Sequence, residues 1–362
     1  MNSATDSQTD MQRRLARQAD IDHFAQIHLP GPNQDLFKEM LVTLCRLASD
    51  RADRGELKLL NKALSELRYA LKVFAPYRNI RKISIFGSSR TPEDSADYQA
   101  AVELARQMRN RNWMVITGAG DGIMKAGHHG AGRKASFGVA IRLPFEQKTN
   151  VVIARDEKLV NFRYFFTRKL IFVKEASAVA LFPGGFGTLD EGFEVLTLVQ
   201  TGKAPMIPIV MIERPAGTYW LHWQAYVAAE LVRNRMIDAD DMNLFTITDS
   251  VDVAVRTVCD FYRVYHSMRY VGSDLVLRLE RPLDDQCLAR LNHEFADILV
   301  EGRIEQCGPL PAERGELPDK PRLRLSFNRR SFGRLRRLID QINAQDSTAT
   351  DAPTAAPRRA TK

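Results

Sequence analysis

Two charged side chains near glycine-rich turns are the residues of this sequence best suited to chemistry. Glu191 closely follows one such turn, and Arg168 lies in the aromatic segment YFFTRKLIF (164–172). Three glycine-rich turns each follow an apolar run and precede a helical pattern: FGSSR (86–90), TGAGDG (117–122) and PGGFGT (183–188). Backbone N–H groups and the positive end of the dipole at a helix N-terminus bind phosphate, and glycine lets the anion approach the backbone. Three such turns at successive strand ends predict a phosphate site.

Glu191 has two interpretations at this point. The spacing Thr188-x-x-Glu191 fits a capping box, in which the threonine accepts a backbone hydrogen bond and the glutamate reaches back to the cap. Alternatively, Glu191 is a catalytic carboxylate. Adjacent residues diverge on a helix, so only one of Asp190 and Glu191 can face a site on the Thr188 side. Glu191 shares a face with Thr188, and we select it as the candidate.

Arg168 and Lys169 interrupt an aromatic and apolar helical pattern. Arg168 is flanked four residues away on either side by Tyr164 and Phe172. A long cationic side chain in such a place can extend past apolar neighbours to water. The other interpretation is anion binding, in which arginine clamps a phosphate or carboxylate bidentately and lysine acts as a point charge. Two adjacent cations one strand before a phosphate-type turn favour anion binding.

Two common nucleotide motifs and a metal site are disfavoured. The turn GAGDGIM lacks the third glycine of G-x-G-x-x-G, since Ile123 occupies that position, and no G-x-x-x-x-G-K-[ST] occurs. A mononucleotide therefore fits the turns better than a dinucleotide. His128 and His129 are adjacent rather than four residues apart, so we interpret both as helix-surface residues. We expect neither a metal nor a cofactor.

The composition is typical of a globular cytoplasmic protein. Of 362 residues, 44% are hydrophobic and 27% are charged. No apolar run is long enough to span a membrane, and the N-terminal segment lacks the apolar stretch of a secretory signal. The four scattered cysteines indicate reduced thiols. We expect a cytoplasmic protein without a membrane partner.

Much of the net charge of +8 lies near the C-terminus. Between Arg322 and Asp340 there are seven arginines and one acidic residue, which together contribute +6. Such a patch can bind nucleic acid or anionic metabolites, and its other interpretation is a solvated helix face. No nucleic-acid motif accompanies the patch, so we favour the solvated face and do not expect a nucleic-acid partner.

Alternating strand and helix patterns predict an α/β fold with a doubly wound parallel sheet of the Rossmann-like kind. The predicted strands are 82–86, 113–117, 136–143, 151–154, 178–182 and 206–212, with one helix predicted over 161–176. A helical N-terminal extension precedes this fold, and a small C-terminal α+β domain follows it. The predicted boundaries are 1–20 (disordered), 21–78 (helical extension), 79–270 (catalytic domain), 271–345 (accessory domain) and 346–362 (disordered tail).

The segment YFFTRKLIFVKEASAVALFPGGFGTLDE resembles the LOG (Lonely Guy) family, which is marked by P-G-G-x-G-T-x-x-E preceded by an R-K pair. FGSSR, VITGAGDGIMKAGHHGA and LPFEQKTN are similar to that family's other blocks and occur in the same order. The resemblance covers roughly residues 81–265. It implies a phosphoribohydrolase, which cuts the N-glycosidic bond of a nucleoside 5′-monophosphate such as AMP or a cytokinin riboside monophosphate. The products are the free base and ribose 5-phosphate.

The same resemblance implies roles for individual residues. Arg168 and Glu191 are the catalytic pair. The residues expected to bind substrate are Gly87, Ser88, Gly118, Gly120, Glu146, Lys169, Gly184, Gly185, Phe186, Gly187, Thr188, Leu189, Asp190 and Thr197. One departure is TGAGDG, where the family usually shows three consecutive glycines. Ala119 adds a methyl group and Asp121 a negative charge near the expected phosphate edge, which bears on substrate preference.

Two further expectations concern partners and alternatives. The resemblance implies a homodimer or a larger homo-oligomer acting on a nucleoside monophosphate. The alternative to an enzyme is a non-catalytic nucleotide sensor, but a pure binder does not need Arg168 and Glu191 in combination. Related sequences have also carried a lysine decarboxylase label. That chemistry needs a Schiff-base lysine with a partner for the cofactor nitrogen, and no such arrangement is recognisable in the sequence.

Overall fold

The computed structural model describes residues 16–141 and 149–344, which fall into two compact units. The first unit ends at Ser65 and the second begins at Glu66. The expected substrate residue Glu146 and the tail 346–362 lie outside the described residues. Residues 16–20, which we expected to be disordered, lie in a helix, because they continue the helical pattern that buries Ile21.

Helices make up the described part of the first unit. They are α1 (16–28), α2 (Gln34–Ser49) and the first part of α3 (Arg54–Phe74). α3 begins with a reciprocal cap between Asp53 and Glu56, in which each backbone N–H donates to the other's carboxylate at 2.8 Å. The predicted helical N-terminal extension is confirmed.

A seven-stranded sheet forms the centre of the second unit. Its strands are β1 (Lys82–Phe86), β2 (Met114–Thr117), β3 (Ser136–Ile141), β4 (Leu159–Phe162), β5 (Ala178–Leu181), β6 (Ile209–Ile212) and β7 (Phe245–Thr248). Their spatial order is β4-β3-β2-β1-β5-β6-β7, and every neighbouring pair is parallel. The predicted doubly wound α/β fold is confirmed.

Helices cover both faces of this sheet. They are α4 (Ala96–Asn110), α5 (Ile123–Ala131), α6 (Phe165–Glu175), α7 (Phe186–Gln200), α8 (Tyr219–Tyr226) and α9 (Val251–Asp260). Alternate strand residues point to opposite faces. In β1, Ile83 and Ile85 pack in one core with α4, α5 and α9, whereas Phe86 packs in another with α6 and α7. Within the described part of the chain, no helix is long and apolar enough to cross a bilayer.

The strand order reverses at β1. The chain proceeds from β1 outwards to β4 and then returns to place β5 on the other side of β1. At such a reversal the following helices leave on opposite faces, which opens a crevice at the carboxyl ends of the two strands. The turns FGSSR and PGGFGT lie at these two ends.

Two elements between β3 and β5 differ from the prediction. The segment 151–154, predicted as a strand, forms turns, and the fourth strand is Leu159–Phe162. α6 therefore begins at Phe165, four residues later than predicted. A short apolar run does not reveal its own conformation, and hydrogen bonding of β4 to β3 decides which residues form the edge strand.

A second, antiparallel sheet follows the first. Its strands are β8 (Tyr265–Val271), β9 (Asp274–Leu279), β10 (Glu305–Cys307) and β11 (Arg322–Leu325), in the order β10-β11-β9-β8. With α10 (Asp285–Glu294) and α11 (Phe332–Ala344), these strands form the expected α+β region. Its core is continuous with that of the parallel sheet. The boundary at residue 270 falls inside β8, and the independent folding of residues 271–345 stays a prediction.

The arginine-rich segment is solvated only in part. Four of its arginines are exposed, namely Arg324, Arg329, Arg330 and Arg337. Arg322 is fully buried in β11, and its Nε lies 3.0 Å from a carboxylate oxygen of Glu313. Arg336 on α11 is also buried and pairs with Asp340 at 3.0 Å. The expectation of a solvated face is wrong for these two residues, because the fold places a carboxylate beside each buried guanidinium: Glu313 from outside the segment and Asp340 from the next turn of α11.

Candidate active site

A cavity of about 530 Å³ opens at the carboxyl ends of β1, β2 and β5. Its size is typical of small-molecule sites in proteins. The lining residues come from the three glycine-rich turns and the adjoining helices: Phe86, Gly87, Ser88, Ser89, Arg90, Gly118, Met124, Phe165, Arg168, Gly185, Phe186, Gly187, Thr188, Asp190 and Glu191. The three turns, far apart in the sequence, therefore meet in one cavity.

The start of α7 decides between the two interpretations of Glu191. The helix begins at Phe186, its N-cap is Gly185, and no side chain caps it. Thr188 is thus already inside the first turn, and Glu191 is the sixth helical residue rather than the third. The capping-box interpretation is wrong, since neither residue occupies its position in that motif. The N–H groups of the first turn are left without side-chain caps beside the cavity.

Glu191 is a buried carboxylate, and one of its oxygens has no hydrogen-bond partner among the described residues. The residue is 6% exposed, and the oxygen concerned is Oε2. Nζ of Lys169 lies 4.0 Å from that oxygen, beyond hydrogen-bonding distance. Burial raises the pKa of Glu191 from 4.5 to about 7, although the charges of Lys169 and Arg168 act in the opposite direction. The carboxyl group therefore changes charge near neutral pH.

Arg168 reaches the same cavity from α6. Its Nε donates a hydrogen bond of 3.0 Å to the carbonyl oxygen of Val139 in β3. A Cβ added to Gly118 would lie 2.7 Å from the Arg168 Nη2 atom, so the guanidinium rests against that glycine. Burial lowers the pKa of Arg168, and the charge of Glu191 raises it. The two predicted catalytic side chains, 23 positions apart in the sequence, are thus close enough to influence each other's charge.

Tight packing shapes the turn before α7. A Cβ on Gly184 would lie 2.1 Å from Oγ1 of Thr188, so only glycine fits beneath that side chain. The hydroxyl of Tyr219, at the start of α8, donates a hydrogen bond of 2.7 Å to the carbonyl oxygen of Gly184. In a trans peptide the C=O and N–H groups point in opposite directions. The bond therefore fixes the Gly184–Gly185 peptide and turns the N–H of Gly185 away from Tyr219. Gly185 itself lines the cavity.

The turn after β2 is held from behind by buried polar groups. His128 is completely buried, and its Nε2 lies 3.0 Å from both the Thr117 hydroxyl and the Phe137 carbonyl oxygen. Asn150 contacts the other ring nitrogen and donates to the carbonyl oxygen of Gly120 at 2.9 Å. Burial lowers the pKa of His128. The expectation of a surface residue is wrong for His128, because α5 packs this face against β2 and β3.

Ala119 and Asp121, the two residues that depart from the three consecutive glycines usual in the LOG family, do not line the cavity. Ala119 is 1% exposed and packs with Ala140 and Ile153. Its φ of 66° is unusual for alanine, and Thr117 and Asn150 hold its backbone in place. Asp121 is exposed. The methyl group expected at the phosphate edge therefore points into a small apolar cluster instead.

Several predicted substrate residues lie outside the lining. Lys169 forms ion pairs of 2.9 and 2.8 Å with Asp190 and Glu194. Gly184 and Gly120 lie behind the cavity lining. The carbonyl oxygen of Gly184 accepts a hydrogen bond from Tyr219, and that of Gly120 accepts one from Asn150. Leu189 packs against the core beneath α7, and Thr197 is exposed nearly two turns beyond Glu191. Roles in substrate binding stay predictions for all of the predicted residues.

The cavity also contains residues that the sequence analysis did not select. Arg90, Met124 and Phe165 line it, beside Ser89 and Phe86. Arg90 was visible in the block FGSSR, where its position directly after the turn could have identified it. Met124 and Phe165 carry no motif, because helical apolar residues have the same appearance in a core and in a pocket wall.

We expect Glu191→Gln to stabilise the folded protein in a pH-dependent way. Since the folded-state pKa is raised, the folded protein binds more protons than the unfolded chain between about pH 4.5 and 7, and its stability falls as pH rises through that window. The glutamine side chain is neutral at every pH, so the variant avoids the free-energy cost of burying a charged carboxylate. The variant should gain up to about 3 kcal/mol at pH 8 and almost nothing at pH 4.5. Urea unfolding at both pH values measures the difference, and an equal effect at both would contradict a buried, raised-pKa carboxyl group.

Part of this chain is similar to known proteins. Residues 119–258 match a family model described as "Possible lysine decarboxylase". A probable cytokinin riboside 5′-monophosphate phosphoribohydrolase of Arabidopsis thaliana is 25% identical over 126 residues, covering 34% of this chain and 61% of the relative. A probable enzyme of the same name from Oryza sativa subsp. japonica is 26% identical over 182 residues, covering 47% and 73%. The chain thus spans about three fifths of the length of the Arabidopsis relative.

Solved structures with a similar fold are more distant. The molybdenum cofactor carrier protein of Chlamydomonas reinhardtii is 17% identical and superimposes with a TM-score of 0.35, covering 50% of this chain and 96% of that protein. This score carries no argument about function, and the fold assignment rests on the strand order itself. The sequence matches and the P-G-G-x-G-T-x-x-E block agree, and the resemblance of this chain to the LOG family is confirmed over residues 119–258.

Proposed function

We propose that this protein hydrolyses the N-glycosidic bond of a nucleoside 5′-monophosphate, either AMP or a cytokinin riboside 5′-monophosphate. The products would be the free base and ribose 5-phosphate. The observation that carries the proposal is the carboxylate of Glu191, which is buried at a cavity wall beside the N-terminus of α7. Among residues 16–141 and 149–344, no side chain caps that N-terminus, and one oxygen of Glu191 has no hydrogen-bond partner. The names of the relatives support the same reaction class.

The N-terminus of α7 is the proposed site of the phosphate. Gly185, Phe186 and Gly187 line the cavity there, and no side chain in the described part of the chain caps the helix. Free N–H groups and the helix dipole together attract a phosphate. Glu191 lies five residues beyond Phe186, about 8 Å along the helix axis. This separation leaves room for a sugar between the phosphate and the carboxylate.

Glu191 is proposed to act at C1′ of the ribose. When the C1′–N bond breaks, its electron pair leaves with the base, and the sugar acquires the positive charge of an oxocarbenium ion. An ionised carboxylate stabilises that charge, or attacks C1′ and is later displaced by water. Water supplies the oxygen that remains on C1′, and its proton balances the charge on the departing base. Both routes require the deprotonated form of Glu191.

Arg168 and Lys169 are proposed to keep Glu191 ionised when the substrate is bound. Both charges lower the pKa of Glu191 against the effect of burial. Arg168 also lines the cavity and can contact the substrate directly. We do not propose lysine decarboxylation, because Lys169, the lysine on α6 beside this cavity, is already engaged by two carboxylates. The homo-oligomeric state and the cytoplasmic location stay predictions.

We expect the purified protein to release free base from AMP or another nucleoside monophosphate, and Glu191→Gln to slow that release severely. Loss of the carboxylate should lower kcat by about 10²–10³-fold or more, as loss of one electrostatic group does elsewhere. Chromatography of the reaction mixture measures the base. Glu103→Gln, which removes a partly exposed carboxylate on α4 outside the cavity lining, is the matched control and should remain active. If the wild type releases no base from any monophosphate, the proposal fails and the nucleotide-sensor alternative takes its place.

The activity should rise with pH through about 7. Glu191 must be ionised to act, and its pKa in the free protein is about 7. The acidic limb of kcat/KM against pH reports an essential group of the free enzyme. Initial rates between pH 5 and 9 test this, and a limb near pH 4.5 would mean that Glu191 is not the group that titrates.

Tyr219→Phe should weaken binding of the phosphate with little loss of fold. The change removes the hydroxyl that orients the Gly184–Gly185 peptide and leaves the ring, which packs edge-on against Trp220. We expect KM for the monophosphate to rise roughly 3- to 30-fold, which corresponds to one hydrogen bond, with a smaller change in kcat. Activity on the unphosphorylated nucleoside is the control, because it should not respond. Equal effects on both substrates would contradict a role in phosphate binding.

A further inference from the structure

α6, the helix that carries Arg168, has no side-chain cap of its own. Its N-cap is Tyr164, which makes no side-chain hydrogen bond to the helix. The first N–H groups of a helix need partners, and a carboxylate near them is favourable because of the helix dipole. At this helix, the carboxylate comes from another part of the chain.

Glu66, in the second half of α3, supplies that carboxylate. Its Oε1 accepts a hydrogen bond of 2.8 Å from the N–H of Arg163, and its Oε2 accepts one of 2.8 Å from the hydroxyl of Thr167. Glu66 is 4% exposed, and Thr167 is fully buried. Hydrogen bonds to a buried charge are among the stronger ones in proteins. One side chain therefore fixes both the turn before α6 and its first helical turn.

The residue that follows Thr167 is Arg168. Its guanidinium extends into the cavity, where it rests against Gly118 and donates to Val139. A change in the rotation of the first turn of α6 is transmitted through the long side chain of Arg168 to its tip. A displacement of about 1 Å at a reacting group can cost a hundredfold in rate.

We propose that Glu66 is a positioning residue that sets the orientation of Arg168 towards Glu191. The inference rests on the proposed function for its kinetic test, but its geometric basis is independent of the reaction. It also assigns a role to α3, which the LOG resemblance leaves unexplained. Thr167 is the link between Glu66 and the catalytic arginine, since its hydroxyl bonds to Glu66 and its backbone adjoins Arg168.

The charge on Glu191 offers a readout that a merely structural role would not change. The charged groups that face Glu191 are Arg168 and Lys169 from α6, and Asp190 and Glu194 from its own helix. Arg90 lines the same cavity from the turn after β1. Arg168 lowers the pKa of Glu191, so withdrawal of the guanidinium should raise it. Titration of Glu191 thus monitors the position of Arg168 without any substrate.

The test uses the full-length protein with Glu66→Ala, Glu66→Gln and Thr167→Val. For Glu66→Ala and Thr167→Val we expect kcat on the monophosphate to fall about 10- to 100-fold, with KM changed less than about threefold. The Glu191 titration, followed by NMR of ¹³C-labelled glutamate carboxyl groups, should move to higher pH. Glu66→Gln keeps one acceptor oxygen. Its kcat and its Glu191 titration should therefore lie between those of these two variants and those of the wild type.

Two further variants serve as controls. Thr167→Ser keeps the hydroxyl and should restore both kcat and the Glu191 titration. Asn343→Ala removes another buried side chain that accepts two backbone hydrogen bonds, from Val264 at 2.9 Å and Tyr265 at 3.0 Å in the second sheet. It should lower the melting temperature without changing kcat or the titration of Glu191. This control separates loss of stability from loss of positioning.

The outcomes are distinguishable from failure of the proposed function. If the wild type hydrolyses no monophosphate, the Glu191 titration alone decides the inference. If Glu66→Ala does not fold, Glu66→Gln and Thr167→Val decide it. The inference is overturned if the folded Glu66 and Thr167 variants behave as Asn343→Ala does, with lower stability but unchanged kcat and an unchanged Glu191 titration.

Discussion

A carboxylate kept out of water beside two cations is the interaction on which this site depends. Glu191 alone would be neutral in its buried position, because desolvation penalises the charged form. Arg168 and Lys169 act against that penalty from a different helix. These opposing effects leave the pKa of Glu191 at about 7, so the carboxyl group is about half ionised at neutral pH. Such perturbed groups concentrate at functional sites, since a carboxylate in water could not respond to a developing charge as strongly.

The balance is possible only because the sheet brings the two helices together. α6 precedes β5 and α7 follows it, so both helices lie beside the strand next to the reversal point at β1. The carboxyl ends of β1 and β5 then bring the turns FGSSR and PGGFGT together, and the N–H of Ser88 donates to the carbonyl oxygen of Pro183 at 3.1 Å. The cavity is therefore a consequence of strand order.

Polar contacts outside the cavity hold this arrangement in place. Tyr219 orients the peptide before α7, and the His128 and Asn150 side chains hold the turn after β2. Glu66 ties the turn before α6 to the hydroxyl of Thr167 in its first turn. Each of these groups is buried or partly buried, where an unpaired donor or acceptor is costly. The hydrogen bonds are thus expected to restrict the backbone to one geometry. A preorganised geometry matters because a site that must rearrange during the reaction loses part of its electrostatic effect.

The sequence by itself determined the α/β class, the glycine-rich turns and the choice of Arg168 and Glu191 as candidates. These follow from local properties: strands buried on both faces are apolar throughout, and glycine is required where a turn meets a helix or a ligand. The local sequence did not determine where α7 begins. Thr188 and Glu191 have the spacing of a capping box, and only the structure shows that the helix begins earlier, at Phe186.

Only the tertiary structure decided which side chains meet. The burial of His128, the edge strand Leu159–Phe162 and the pairing of Arg322 with Glu313 all depend on partners distant in the chain. The contacts of Glu66 and Tyr219 join segments 101 and 35 residues apart, and no spacing in the sequence marks them. Hydrogen bonds and desolvation depend on distance in space, so residues of ordinary local pattern acquire their roles only when the sheet brings their partners close.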